Sequence, residues 1–102
     1  MEIRYKNVNR SLTLYIYGEL DDCSASQAKQ MIDKVINDNI QTSKVIFDLS
    51  GTSFMDSTGI GVLLGRYKML KKIGVPIYIQ NPSVSINKIL QISGIYEIMP
   101  KI

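Results

Sequence analysis

Hydrophobic and polar residues alternate in the first part of the chain. Apolar and charged side chains take turns along residues 2–6 (EIRYK), and residues 12–17 (LTLYIY) place Leu or Ile at every second position. This period of two is typical of β-strands that bury one face. The intervening stretch NVNR predicts a turn, so the pattern predicts a β-hairpin.

The spacing of apolar residues becomes helical further along the chain. The segment DDCSASQAKQMIDKVINDNI (21–40) carries apolar residues three and four positions apart. Ser24 followed by Gln27 fits a capping box at the start of this first helix. A second helix is predicted from Ser57 to about Ile73, after which glycine and proline end it.

A third helix and three further strands are predicted in the rest of the chain. The pair Asn81 and Pro82 suits a helix cap and first position, and Gly94 is predicted to end this helix. The strand segments are KVIFDL (44–49), VPIYI (75–79) and IYEIM (95–99). KVIFDL is apolar nearly throughout, which is typical of a central strand covered on both faces.

The resulting order of elements is β-β-α-β-α-β-α-β. Strand-helix-strand units with short loops indicate right-handed crossovers and a largely parallel sheet, to which the N-terminal hairpin adds an antiparallel edge. The chain of 102 residues has the size of one domain and contains no Pro/Gly/Ser-rich linker. The predicted fold class is therefore α/β, with a mixed but mostly parallel sheet, in a single domain spanning residues 1–102.

Composition and charge narrow the possible partners. The 12 basic and 9 acidic residues give a net charge of +3, and the basic residues are scattered apart from RYKMLKK (66–72). A solvated helix face explains that cluster better than direct binding to nucleic acid. No apolar run approaches the roughly 18–20 residues that span a bilayer, and the N-terminus is too polar for a signal peptide. We therefore expect a cytoplasmic protein without a membrane partner.

Several kinds of catalytic and metal site are not predicted. The single Cys23 cannot form an internal disulfide, and histidine is absent, so no cluster of metal ligands is recognised. A serine nucleophile needs a nearby base, and the chain has neither the G-x-S-x-G elbow nor the Gly-Lys-Ser/Thr ending of a P-loop. We therefore predict no metal, no cofactor and no enzymatic activity. Nothing indicates an obligate dimer, so the free protein is predicted to be a monomer.

Polar side chains cluster just after the second and third predicted strands. In open parallel sheets, ligands gather beyond the carboxyl ends of the strands. The residues that could share this end are Asp21, Asp22, Ser24, Asp56, Ser57 and Thr58. Asp56 and Ser57 also suit the N-cap of the second helix, where a side chain is exposed and open to modification.

Glycines within the second helix need a compensating role. Glycine in a helix interior costs about 1 kcal/mol relative to alanine, and Gly61 and Gly65 lie four residues apart on one stripe. The stripe adjoins Val62 and Met69, which are predicted to be directed away from the core. Either the stripe packs under a loop or a neighbouring helix, or it is a low-relief docking surface that begins at Ser57.

A phosphorylated aspartate is an alternative functional interpretation. Asp48 closes the strand VIFD, as the acceptor of a response-regulator receiver does, and Asp21 with Asp22 could form an acidic pair for Mg²⁺. The leading hairpin argues against the receiver topology, because a receiver begins with a regular βα repeat.

The motifs resemble those of one known family. The segments LTLYIYGELDD, VIFDLSGTSFMDSTGIGVLLGRYK and ISGIYEI are similar to the STAS domain of anti-sigma factor antagonists, most closely the sporulation group of endospore-forming bacteria. The resemblance covers almost the whole chain, and its central D-S-[ST]-G motif is specific. It implies a STAS-like fold and the function of an anti-sigma factor antagonist.

The resemblance implies a partner-switching cycle. In that family the motif serine is phosphorylated by a cytoplasmic kinase that is also the anti-sigma factor, and Ser57 occupies its position. The unphosphorylated protein would bind the kinase and free a sigma factor, phosphorylation would end the binding, and a serine phosphatase would reset the protein. A STAS protein of a general-stress pathway would share this mechanism and differ in its partners.

The resemblance also implies roles for individual residues. Asp56 would cap the helix and position the Ser57 hydroxyl, and Thr58 would be a lesser candidate acceptor. The rest of the partner surface would lie on the preceding loop and on the glycine stripe. Its residues would be Asp21, Asp22, Ser24, Gly59, Gly61, Val62 and Gly65.

Overall fold

The described residues of the chain form five strands and three α-helices. A computed structural model describes residues 1–39 and 41–102. The strands are β1 (Glu2–Val8), β2 (Ser11–Leu20), β3 (Lys44–Asp48), β4 (Thr52–Met55) and β5 (Ile77–Gln80). The helices are α1 (Ala25–Asp38), α2 (Ser57–Lys71) and α3 (Val84–Ser93), followed by a 3-10 helix at Ile95–Glu97.

The sheet is mixed, as the sequence predicted. Its strand order is β1-β2-β3-β5, with β1 antiparallel to β2 at the edge and the other pairs parallel. The turn between β1 and β2 is formed by Asn9 and Arg10, whose φ angles of 51° and 66° match the tight turns that suit the twist of a hairpin. The predicted α/β fold class and antiparallel edge are confirmed.

One face of the sheet forms the core. The parallel register aligns apolar side chains from three strands on this face, and they are almost completely inaccessible to solvent. These residues are Leu12, Leu14, Ile16, Val45, Phe47, Ile77 and Ile79. Burial of such a layer against amphipathic helices is the main stabilising contribution in a domain of this size. In the part of the chain that the structure describes, no helix has the length and apolar character needed to cross a membrane.

The prediction that IYEIM forms the last strand is wrong. Residues Ile95–Glu97 form a 3-10 helix, and Gly94 precedes them with a φ of 77°. A helical turn places Ile95 and Met99 on the same side, and both side chains are buried. In a strand, residues an even number of positions apart also lie on one face. The apolar pattern of Ile95 and Met99 therefore did not distinguish a strand from a helical turn. This C-terminal segment pairs with the sheet at Lys101, which forms an isolated parallel bridge to Ile79.

A short strand, β4, was not predicted. Thr52–Met55 pairs in parallel with the last residues of β2, beyond the point where β2 leaves β3. The Thr52 hydroxyl donates to the Ile16 carbonyl oxygen at 2.9 Å and helps to hold this pairing. The four residues TSFM gave no strand signal because the stretch is short and its partner lies more than 30 residues away.

The predicted caps of α1 and α3 are wrong in different ways. Ser24 is the N-cap residue of α1, as predicted, but its side chain makes no bond to the start of the helix, so there is no capping box with Gln27. The third helix begins after Ser83 rather than at Asn81 and Pro82, and the Ser83 hydroxyl oxygen accepts the Ile86 N–H at 3.3 Å. Asn81 cannot start the helix because its φ is 56°, in the left-handed region.

Candidate functional site

Ser57 is the first residue of α2, and Asp56 caps this helix. The Asp56 carboxylate accepts the Gly59 N–H at 3.0 Å, so the cap predicted from the sequence is present. The Ser57 side chain is exposed. In the described parts of the chain its hydroxyl makes no hydrogen bond, and it is therefore available as an acceptor for a modifying group.

The loop after β2 is shaped by its own polar side chains. One carboxylate oxygen of Asp21 accepts the N–H groups of Cys23 and Ser24, each at 3.0 Å. The Ser24 hydroxyl donates to the Glu19 carbonyl oxygen at 2.6 Å. Asp21 and Ser24 therefore stabilise the conformation of the loop through hydrogen bonds. The side chains of Asp22 and Cys23 are exposed to solvent.

Gly59 brings this loop and the start of α2 together. A Cβ atom on Gly59 would lie 2.2 Å from the Leu20 carbonyl oxygen and 2.8 Å from the Met55 side chain. Gly59 is buried, so it permits a close approach between two segments and presents no surface of its own. The predicted proximity of the two polar segments is thus observed.

The glycine stripe on α2 is open to solvent. Cβ atoms on Gly61 and Gly65 would meet no atom of residues 1–39 or 41–102 within 4 Å, so no described loop or helix packs on this stripe. Met69 is exposed, as predicted. Val62 is 0% exposed, so its predicted outward direction is wrong. The buried face of α2 is wider than the single stripe predicted from the sequence. Val62 belongs to the same buried cluster as Leu63.

Arg66 was also predicted wrongly, as part of a solvated helix face. It is only 8% exposed, and its guanidinium lies 3.1 Å from the Asp33 carboxylate of α1. Lys68, Lys71 and Lys72 of the same segment are exposed, as predicted. Arg66 is therefore an interhelical contact, which the sequence of α2 alone does not reveal.

An apolar groove runs beside Ser57, between α2 and α3. Its volume is about 360 Å³. The lining residues are Met55, Asp56, Ser57, Ile60, Ile89, Ile92 and Ser93. Ile92 is 88% exposed, the largest value among the exposed apolar residues that the structure describes. The α3 wall of the groove was not predicted from the sequence.

Asp48 is buried and fully engaged in hydrogen bonds. One carboxylate oxygen accepts the N–H and the hydroxyl of Ser50 at 2.9 and 2.6 Å. The other accepts the side-chain amides of Gln80 and Asn81 at 2.9 and 3.0 Å. Burial alone would raise the pKa of Asp48, but these bonds outweigh it and hold the pKa below its ordinary value. This arrangement favours a structural role over that of a phosphoacceptor.

The family follows from a comparison of the whole chain with known protein families. The STAS domain family matches residues 2–102. The chain is a STAS domain. The described residues of this STAS domain contain no group of three or more His, Cys, Asp or Glu side chains placed to hold a metal ion.

The STAS domain is similar to proteins named as anti-sigma factor antagonists. It is 29% identical over 100 residues to the anti-sigma F factor antagonist of Paenibacillus polymyxa, covering 98% of this chain and 85% of the relative. It is 33% identical over 96 residues to that of Lysinibacillus sphaericus, covering 93% and 81%. An anti-sigma-B factor antagonist of Bacillus subtilis is 29% identical over 99 residues, covering 97% and 88%.

Solved structures agree with this relationship. The unphosphorylated form of the anti-sigma factor antagonist SpoIIAA superposes with a TM-score of 0.79 at 28% identity, covering 99% of this STAS domain and 88% of that chain. The phosphorylated form of SpoIIAA, described as a Bacillus cell fate determinant, has a TM-score of 0.71 at 28% identity, covering 99% and 91%.

Asp48 should make the stability of this STAS domain depend on pH. Its lowered pKa means that its contribution is present above the ordinary value of 3.8 and is lost as the pH falls through the pKa of the folded state. Because hydrogen bonds to a charged group contribute about 1.5–3 kcal/mol, we expect Asp48→Asn to destabilise the domain by that amount near pH 7. Urea unfolding of both proteins across pH 2.5–7 should show the difference shrinking in acid. A difference that does not vary with pH would contradict the assigned charge.

Proposed function

We propose that this STAS domain is an anti-sigma factor antagonist whose binding is switched off by phosphorylation of Ser57. The observation that carries the proposal is the position of Ser57, an exposed hydroxyl at the capped start of α2 and beside an apolar groove. The names of its relatives and the two phosphorylation states of SpoIIAA support it. An anti-sigma factor with serine kinase activity would be the partner, and a serine phosphatase would reverse the modification.

The start of α2 can carry a phosphate without unfolding. The Asp56 cap occupies the Gly59 N–H, which leaves the N–H groups of Ser57 and Thr58 near the modified oxygen. A phosphate brings about −1.5 to −2 charges, and a helix N-terminus favours an anion. Phosphorylation should therefore change the surface rather than the fold.

Electrostatic and steric exclusion is sufficient to release the partner. Asp56 lies next to Ser57, and Asp22 is exposed on the adjoining loop, so a phosphate adds charge to an already acidic surface. A hundredfold loss of affinity requires only about 2.7 kcal/mol. Placing like charges together at an interface costs several kcal/mol.

The proposed partner surface combines the groove with the open glycine stripe. Asp22, Thr58, Gly61 and Gly65 are at least partly accessible and remain in this surface. Asp21, Ser24 and Asp56 support it by shaping the loop and the cap. Val62 and Gly59 are buried and contribute only through packing.

The similarity to an anti-sigma-B factor antagonist supports a second candidate partner, an anti-sigma factor of a different sigma pathway. The mechanism is the same in both cases, so the experiment should compare partners directly. We would add this protein to preformed complexes of each anti-sigma factor of the same genome with its sigma factor, and measure release of the sigma factor. Release from one complex, suppressed by prior phosphorylation, is the expected result. Release from none would overturn the proposed function.

The groove can be tested with an exposed residue. Replacing Ile92 by serine should weaken anti-sigma factor binding about tenfold, because a side chain that is 88% exposed in the free protein is predicted to be buried in the complex. Its removal should leave stability nearly unchanged. Calorimetric titration would measure the affinity.

Val84 supplies the matched control for that experiment. It is 76% exposed, lies on the same helix and does not line the groove. Val84→Ser should therefore leave the affinity within about twofold. Equal effects of the two substitutions would show that the groove is not the contact.

A further inference from the structure

The two walls of the groove come from different parts of the chain. One wall is formed by Met55 at the end of β4 and Ile60 in the first turn of α2, and the other is the last part of α3, with Ile89 and Ile92. β3 leads through β4 to α2, whereas β5 leads to α3. The shape of the groove therefore depends on how the exits of β3 and β5 are held relative to each other.

The Asp48 carboxylate connects these two exits. One oxygen accepts two bonds from Ser50, on the path to α2. The other accepts the amides of Gln80 and Asn81, on the path to α3. A main-chain bond from the Leu49 N–H to the Gln80 carbonyl oxygen, 3.0 Å long, runs beside them. Asp48 is only 3% exposed, so these bonds form with little competition from water.

We propose that Asp48 is a positioning residue for the Ser57 switch, because its carboxylate holds the α3 wall of the groove in place against the α2 wall. The inference rests on the proposed function, in which the groove receives the anti-sigma factor kinase. Asp48 acts through Gln80 and Asn81, since its own oxygens face inward. A carboxylate suits the position because it can accept four hydrogen bonds, whereas asparagine has one acceptor oxygen and would require the Gln80 and Asn81 amides to turn round.

Asn81→Gly provides the sharpest test. Asn81 has a φ of 56°, which glycine adopts without strain, so this variant removes one amide bond to Asp48 and permits the same backbone turn. Asn9 has a φ of 51° in the β1–β2 turn, away from the groove. Asn9→Gly is therefore a control with the same chemical change and the same effect on the flexibility of the unfolded chain.

Phosphorylation kinetics with the anti-sigma factor and ATP give the functional readout. We expect Asn81→Gly and Asp48→Asn to raise the KM of the kinase for this protein about tenfold. The kcat should stay within about twofold of the value for the protein without substitutions, because the substitutions alter docking and leave the Ser57 hydroxyl unchanged. Asn9→Gly should change neither constant. A loss confined to kcat, or an unchanged KM, would overturn the inference.

The free variants give a readout that needs no partner. Amide chemical shifts and hydrogen exchange should change at Ile89–Ser93 in Asn81→Gly and Asp48→Asn, and not in Asn9→Gly. If these groove amides respond no more than in the control, Asp48 does not set the groove and the inference fails. If the protein without substitutions is neither bound nor phosphorylated by the anti-sigma factor, the proposed function fails. The spectra of the free variants still decide the role of Asp48 in the fold.

Discussion

Ser57→Ala is expected to abolish phosphorylation by the anti-sigma factor kinase while leaving binding of that partner intact. The substitution removes the exposed hydroxyl, and the Asp56 cap that orders the start of α2 stays in place. The variant should therefore hold the partner permanently and release the sigma factor continuously. Incubation with the kinase and ATP, followed by mass spectrometry of the intact and digested protein, measures the loss.

The neighbouring hydroxyl provides the control for this result. Thr58→Ala should still accept a phosphate on Ser57, because Thr58 is only partly accessible and lies one position further into the helix. Phosphorylated protein should bind the partner at least about a hundredfold more weakly, and Ser57→Glu, with a single charge, about tenfold more weakly. Phosphate that persists in Ser57→Ala would assign the switch to another residue.

Gly59→Ala is expected to destabilise the domain and to separate the loop after β2 from α2. The added Cβ would lie 2.2 Å from the Leu20 carbonyl oxygen, which is main chain and cannot rotate away. Overpacking of this kind costs about 1–3 kcal/mol or more, which exceeds the gain of about 1 kcal/mol from replacing glycine within a helix. Urea unfolding would measure the change, and the affinity for the anti-sigma factor should fall with it.

Gly61→Ala is the matched substitution one half-turn away. A Cβ atom there meets nothing within 4 Å, so the free energy of unfolding should rise by up to about 1 kcal/mol. If Gly61 lies in the partner surface, the same variant should bind the anti-sigma factor more weakly although it is more stable. Unchanged affinity would remove the glycine stripe from the proposed surface and would leave the groove.

Several features of this protein were readable from short stretches of sequence. The Asp56 cap, the β1–β2 turn and the three helices depend on contacts between residues within about one turn of each other, and local patterns report such contacts well. The exposure of Ser57 followed from its place at a cap. The mixed sheet followed from the order of the elements, because parallel neighbours need crossover helices.

Other features were decided only when distant segments met. β4 exists because β2 extends past β3 and offers it a partner. Arg66 is buried because α1 supplies Asp33, and the groove beside Ser57 exists because α3 packs on β4, next to the start of α2. The direction of Val62 was predicted wrongly because apolar residues occur on several sides of α2.

The sequence by itself therefore determined the α/β class, the three helices, four of the five predicted strands and the exposed serine, since each depends on residues that are neighbours in the chain. The tertiary structure alone decided which apolar residues are buried, how the last segment folds and which side chains surround Ser57. Burial and long-range hydrogen bonds depend on what packs against a residue, and that information is spread over segments that are far apart in the chain.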